Sequence, residues 1–169
     1  MNETSKKKIV VAVSGGFDPL HIGHIRLFEA AKKLGDELVI FLNNDAWLTV
    51  KKSQPFMPEN ERKEILEALR CVDRVILTRH KVDDPERLNH YVMWYGQHDL
   101  LLRIKPDIFA QGGDRDQASA AGPDSPVYYE LMTCKQIGCE IVFNVGHGGK
   151  VQSSSWLTDK VVEAATAKE

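Results

Sequence analysis

The chain has little of what would place it in several broad classes. Only three of its 169 residues are cysteines, Cys71, Cys134 and Cys139. The number is odd and no two form a Cys-x-x-Cys pair, which points to reduced, buried or half-buried thiols. No apolar run approaches the ~20 residues that span a bilayer. The stretch Met1 to Lys8 is polar and basic, with no signal-peptide h-region behind it. A soluble cytoplasmic protein with no membrane partner is therefore expected. An excess of either charge is missing too. Lys and Arg total 22 against 24 Asp and Glu, a formal net charge of −2. Nucleic-acid binders present a strongly basic face, so that class is excluded as a partner. No repeat, linker or low-complexity tract divides the chain. Residues 1–169 read as one domain with a single core, 1–7 and 166–169 being flexible ends.

Apolar runs and helical patterns alternate along the rest. Lys8 to Val13 is a continuous apolar, β-branched strand of the kind buried on both faces. Further strands are expected at Glu37 to Leu42, Arg74 to Leu77, Ile108 to Ala110 and Glu140 to Asn144. Helices are expected at Ile22 to Leu34 (stopped by Gly35), Glu59 to Leu69, Pro85 to Ile104, Pro126 to Ile137 (closed by Gly138) and Ser153 to Ala164. Gly96 lies inside the third of these and marks a candidate break. The alternation predicts a Rossmann-like α/β fold, a doubly wound parallel sheet of about five strands in a three-layer α/β/α sandwich. Asp114 to Ser125 is the one loop whose length and composition suggest mobility.

The most informative segment is Gly15-Gly16-Phe17-Asp18-Pro19-Leu20-His21-Ile22-Gly23-His24, directly after the first strand. It joins a strand, a glycine-rich turn and a helix that opens on a His-x-Gly-His pair. A helix N-terminus offers unpaired N–H groups and the positive end of the dipole, a seat for phosphate. Two imidazoles add donors there, and the glycines let backbone approach a bulky anion. The segment lies where α/β sheets bind ligands, outside the strand carboxyl ends. It reads as a nucleoside-triphosphate site formed by Gly15, Gly16, Phe17, Asp18, His21, Gly23 and His24.

This segment resembles the HxGH nucleotidyltransferases, and within them the cytidylyltransferase-like branch with its G-x-F-D-x-x-H-x-G-H pattern. The resemblance runs in order from Val10 to Leu157. It implies a lysine six residues after Asp45, here Lys51, and an arginine on the following helix, here Arg62, as clamps on the reacting phosphates. Lys51 is favoured over Lys52 on spacing alone, and its segment is the expected lid. Gln111-Gly112-Gly113-Asp114 ends the fourth strand on the same rim, implying nucleotide contacts from Gly112 and Asp114. The run Ser153-Ser154-Ser155 at the start of the last helix implies a grip on the β- and γ-phosphates. The arginine that often precedes those serines is missing, so Lys150 or His147 would substitute for it.

His21, His24, Lys51 and Arg62 are thus the expected catalytic set. The aromatic segment Asn89 to His98 is not a family motif. It suits an acceptor pocket (with Trp94 and His98 binding substrate beside Lys51), a subunit interface of a homodimer, or core. The implied activity is transfer of CMP from CTP to a small phosphorylated or phosphonate acceptor, releasing pyrophosphate. Mg²⁺ would be bound with the triphosphate, and no dedicated protein metal site is expected. The alternatives are an adenylyltransferase using ATP on a sugar phosphate or similar acceptor, and a non-catalytic nucleotide sensor.

Overall fold

The computed structural model describes residues 7–80, 90–113, 115, 122, 125–146 and 152–166, without the side chains of 90–95, 126, 162 and 165. Five strands, β1 (Val10–Gly15), β2 (Glu37–Leu42), β3 (Arg74–Leu77), β4 (Ile108–Ala110) and β5 (Glu140–Val142), form one parallel sheet in the order β3-β2-β1-β4-β5. Six helices connect or follow them: α1 (Ile22–Lys32), α2 (Asp45–Lys52), α3 (Glu59–Glu67), α4 (His90–Ile104), α5 (Pro126–Ile137) and α6 (Ser154–Thr166). The expected Rossmann-like α/β fold is the one observed.

Strand alternation builds the layers. Val11 and Val13 of β1, with Leu38, Ile40 and Leu42 of β2, turn to one face, where Phe28 and Ala31 of α1 and Leu66 of α3 cover them. Ala12, Val39, Phe41 and Phe109 turn to the other, against Leu100 and Leu101 of α4 and Cys134 of α5. Side chains alternate along a strand, so a run such as Leu38 to Leu42 must be apolar throughout when helices cover both faces. All five of those residues are fully buried.

Several elements differ from the expected bounds. β1 lies two residues further along, because the parallel register continues through Ser14 opposite Phe41 and Gly15 opposite Leu42. Ile9 is outside the ladder, its N–H donating to Asp36 Oδ2. β5 ends at Val142, and Asn144 takes a positive φ of 57° that leaves strand geometry. α1 ends at Lys32 and α3 at Glu67, short of Leu34 and Leu69, with Lys33 and Ala68 as C-caps. Ser153 stands outside α6 as its cap, its Oγ accepting from Trp156 N at 3.2 Å. α2 was not expected as a helix. Gly96 does not interrupt α4; its missing side chain makes room for His80, whose Cε1 a Cβ there would meet at 2.4 Å. Residues 85–89, and the loop from Asp114 to Ser125 apart from Arg115, Gly122 and Ser125, lie outside the described residues. No helix among the described residues is long and apolar enough to cross a membrane.

Candidate active site

The sheet reverses its winding at β1, which has β2 on one side and β4 on the other. Chains leaving β1 and β4 therefore part in opposite directions and open a crevice at the strand carboxyl ends. A cleft of about 420 Å³ occupies this place. Its floor is Gly15 to Asp18 with His21, Gly23 and His24. Trp47, Lys51 and Lys52 of α2 form one wall, and Gln111, Gly112 and Arg115 face them from beyond β4. Ser153, Ser154 and Ser155 close a third side at the head of α6. A bond from Ser154 Oγ to Pro19 O, 3.0 Å, ties that head to the turn before α1.

Local chemistry fixes the histidines. His21 is the N-cap of α1, and its N–H donates to Nδ1 of His24 at 3.3 Å. An Nδ1 that accepts cannot carry the ring proton, so a neutral His24 holds it on Nε2. The two rings stack with centroids 3.6 Å apart, and the Phe17 ring stands edge-on to His24 at 5.0 Å. Burial, then the neighbouring His21 and the Lys52 charge, drive the His24 pKa down from 6.5 to about 3. His24 is therefore a neutral hydrogen-bond donor across the physiological range. Burial also lowers the pKa of His21, whose Nδ1 is buried with no hydrogen-bond partner among the described residues.

Asp18 is fully buried, and its two carboxylate oxygens accept from Phe56 N at 2.7 Å and Met57 N at 2.8 Å. Lys52 Nζ lies 3.7 Å from Asp18 Oδ2 and donates to Asp18 O. Lys52 is thus a half-buried ion-pair partner rather than a solvated neighbour, and its pKa is lowered chiefly by burial. Lys51 lies one position along α2, its Nζ 4.7 Å from the centre of the Trp47 ring. Asp45 N donates to Glu59 Oε2 and Glu59 N to Asp45 Oδ2, at 2.7 and 3.1 Å. These bonds join the start of α2 to the start of α3, and so pin together the two ends of the stretch 45–59 that carries Lys51 and was expected to be a lid.

Arg62 is not among the residues lining the cleft. The residue is 1% exposed, and its guanidinium donates to Met57 O, Gly16 O, Asn43 O and Asp45 Oδ1 over 2.6 to 2.9 Å. The side chain placed by sequence on the phosphates is instead the tie that holds the glycine turn, β2 and α2 together. His98 is also outside the cleft, on α4 with its Nδ1 2.9 Å from Thr133 Oγ1 of α5. Asp114, His147, Lys150 and the side chain of Trp94 lie outside the described residues.

Two groups escaped the sequence reading. Arg115 Nη1 donates to Gln111 Oε1 at 2.6 Å, and Gln111 Nε2 donates to Glu130 Oε2 at 2.8 Å. Glu130 is buried on α5, and burial pushes its carboxyl above the usual range. The signal available was an arginine directly after Gly-Gly-Asp. The second group joins Thr78, His80 and Gly96: His80 Nδ1 meets Thr78 Oγ1 at 2.7 Å, and Nε2 accepts from Gly96 N at 3.2 Å.

The cleft is thus lined by cations (Arg26, Lys51, Lys52, Arg115), neutral imidazoles and hydroxyls, with Asp18 its one described carboxylate. No group of three or more His, Cys, Asp or Glu among the described residues is placed to hold a metal. The donor set suits a polyanion.

A family model described as cytidylyltransferase-like matches residues 12–143. An FAD synthase of Thermococcus sibiricus is 32% identical over 162 residues, 95% of this chain and 97% of that protein. The bifunctional protein HldE of Streptomyces coelicolor is 40% identical over 158 residues, 92% of this chain but 29% of its own length. Among solved structures, the lipopolysaccharide core biosynthesis protein from Thermoplasma volcanium superposes with a TM-score of 0.62 at 28% identity. That match covers 84% of this chain and all of the other.

Proposed function

The chain belongs to the cytidylyltransferase-like family and is a nucleotidyltransferase, and from that premise we propose that it joins a nucleoside monophosphate to a phosphate oxygen of a small acceptor. The observation that carries this reading is His24, a neutral donor fixed in tautomer at the head of α1, facing a cleft lined with cations. The donor nucleotide has two candidates. FAD is an adenylate joined through a pyrophosphate bridge to a flavin phosphate ester, so the product named for the Thermococcus relative carries AMP on a phosphate monoester. This favours ATP. The G-x-F-D-x-x-H-x-G-H resemblance favours CTP and CMP transfer, the second reading. The acceptor is a small phosphorylated or phosphonylated molecule.

In this mechanism an ionised acceptor oxygen attacks the α-phosphorus in line. The bond to the α,β-bridging oxygen breaks, and pyrophosphate departs with the electron pair. Such an oxygen is already ionised at neutral pH, so no general base is needed and catalysis is positioning and charge stabilisation. His24 Nε2–H and His21 donate to oxygens that gain charge, with Lys51 and Lys52 beside them. Gly15, Gly16 and Gly23 let backbone close on the phosphates, while Ser153 to Ser155 receive the leaving group. Mg²⁺, bound with the triphosphate, would neutralise part of the charge on its oxygens. Asp18 is engaged by two backbone N–H groups and Lys52, which suits a cation held by the nucleotide rather than by the protein. We further propose a cytoplasmic homodimer with the 89–98 segment at its interface, for which Trp94→Glu should convert dimer to monomer in light scattering.

The test is pyrophosphate release with each of the four triphosphates against a panel of phosphorylated acceptors, flavin and sugar phosphates included. Turnover with ATP ahead of CTP is expected. Tight nucleotide binding with no turnover on any acceptor would make the protein a sensor.

A further inference from the structure

A triphosphate tail presents pairs of oxygens that a planar guanidinium matches two at a time, which an ammonium cannot do. Arg62 cannot supply that fork, since its donors are already directed to Gly16, Asn43, Asp45 and Met57. The described arginines of the cleft wall are Arg26 and Arg115. Arg115 is the one held by a buried relay. Glu130, 1% exposed, accepts from Gln111, which is 3% exposed and in turn accepts from Arg115. The carboxylate lies 3.6 Å from the guanidinium itself. An ionisable group is costly to bury unless something requires it there, and no step of the transfer reaction uses Glu130. The relay requires it: it runs from the interior of α5 to the cleft wall and ends on Arg115.

Backbone geometry brings that end to the cleft beside α1, the helix that carries His24. Gly113 adopts a left-handed φ of 77°, turning the chain so that Arg115 returns over Gln111. Gly112 packs so closely that a Cβ would come within 2.9 Å of Leu27 and 3.2 Å of Val145 O. The end of β4 is thereby pressed against α1, one helical turn beyond His24. Only Nη1 of Arg115 has a hydrogen-bond partner among the described residues, leaving the Nε and Nη2 edge to a ligand.

On the nucleotidyl-transfer reading, we propose that Arg115, positioned by Gln111 and Glu130, grips the β- and γ-phosphates of the donor nucleotide and the pyrophosphate that leaves. Arg115 thereby supplies the guanidinium that the stretch before Ser153 lacks. Glu130 is a positioning residue, acting through Arg115.

Calorimetric binding of pyrophosphate, ATP, CTP, AMP and CMP to the full chain tests this, with acceptor KM measured alongside. Arg115→Gln should weaken pyrophosphate and triphosphate binding by about tenfold or more, as loss of charge-assisted hydrogen bonds does. Monophosphate binding and acceptor KM should stay unchanged. Arg115→Lys should recover only part of the loss. Glu130→Gln alone should weaken pyrophosphate binding, and adding it to Arg115→Gln should change nothing more, because both act through one contact. Equal weakening of the monophosphates, a change confined to acceptor KM, or unaltered pyrophosphate binding in Arg115→Gln would each overturn the proposal. A wild-type protein that binds neither pyrophosphate nor any triphosphate would instead overturn the nucleotidyl-transfer reading.

Discussion

Arg62 offers the sharpest test of what the structure says about this site. Its four hydrogen bonds end on three backbone carbonyls and one carboxylate, in a place from which the guanidinium is almost excluded from water. Bonds of this charge-assisted kind contribute about 1.5–3 kcal/mol each, net of the bonds to water they replace. Bonds that share one network do not add, and loss of one member of a buried ionic network costs about 3–5 kcal/mol. Arg62→Ala should therefore remove about 4 kcal/mol from a total of about 5–15 kcal/mol. For a domain of this size that lowers Tm by about 10 °C. Arg62→Lys keeps the charge but not the reach, and should recover little. Urea unfolding at fixed pH, with nucleotide affinity and pyrophosphate release measured on the same samples, separates the two roles. A tie that acts through the Gly16 turn loses stability and nucleotide affinity together. A loss below about 1 kcal/mol beside a hundredfold or larger fall in turnover would refute the reasoning and return Arg62 to the phosphates.

Other outcomes follow from the same geometry. His24→Ala should lower turnover by about a hundredfold or more, as loss of one transition-state donor does, with a smaller effect on nucleotide affinity; single-turnover kinetics checks it, and a fall under about tenfold would discard the assignment. The folded His24 pKa of about 3 lies below the ordinary 6.5, so between these values the unfolded chain binds the extra proton. Wild-type stability should fall as pH drops from about 6.5 towards 3, and urea midpoints should show a shallower decline in His24→Ala. Gly96→Ala drives a Cβ to within 2.4–2.7 Å of the His80 ring atoms and should destabilise by about 1–3 kcal/mol or more. Gly138→Ala meets no atom within 4 Å but keeps a φ of +74°, costing about 1–2 kcal/mol; thermal melts of the two variants rank them. Lys51→Ala should lower turnover, whereas Lys52→Ala, losing its bonds to Asp18, should lower turnover and stability together.

The fold was legible where punctuation was strong. β3, β4 and α5 start and stop where Arg74, Pro106, Pro126 and Gly138 imply. The floor of the site was legible as well, because the strand, glycine turn and His-x-Gly-His pair are contiguous, and local residues dictate how such a unit folds. What lay beyond reach was the destination of polar side chains that bond across the sequence. Nothing local distinguishes a buried Arg62 from an exposed one, since the groups that claim it sit at Gly16, Asn43, Asp45 and Met57. His98 looked available because its partner, Thr133, lies on another helix. α2 was hidden by its shortness, having one buried residue, Leu48, though Asn44 is a ready N-cap and accepts from Trp47 N. The Glu130 relay required knowing that α5 packs beside the end of β4.

The fastening of residues 43–59 has a thermal consequence. Asp18 holds Phe56 and Met57, Asp45 and Glu59 hold each other's backbone, and Arg62 ties β2 to the glycine turn. Lys52 and the floor of the cleft are thereby oriented before any ligand arrives, and the disorder lost in aligning them is lost during folding. Little further ordering is then required when charge develops on the phosphates. The activation entropy of the transfer step should be small, and warming should accelerate it through the enthalpy term until the ties themselves begin to melt.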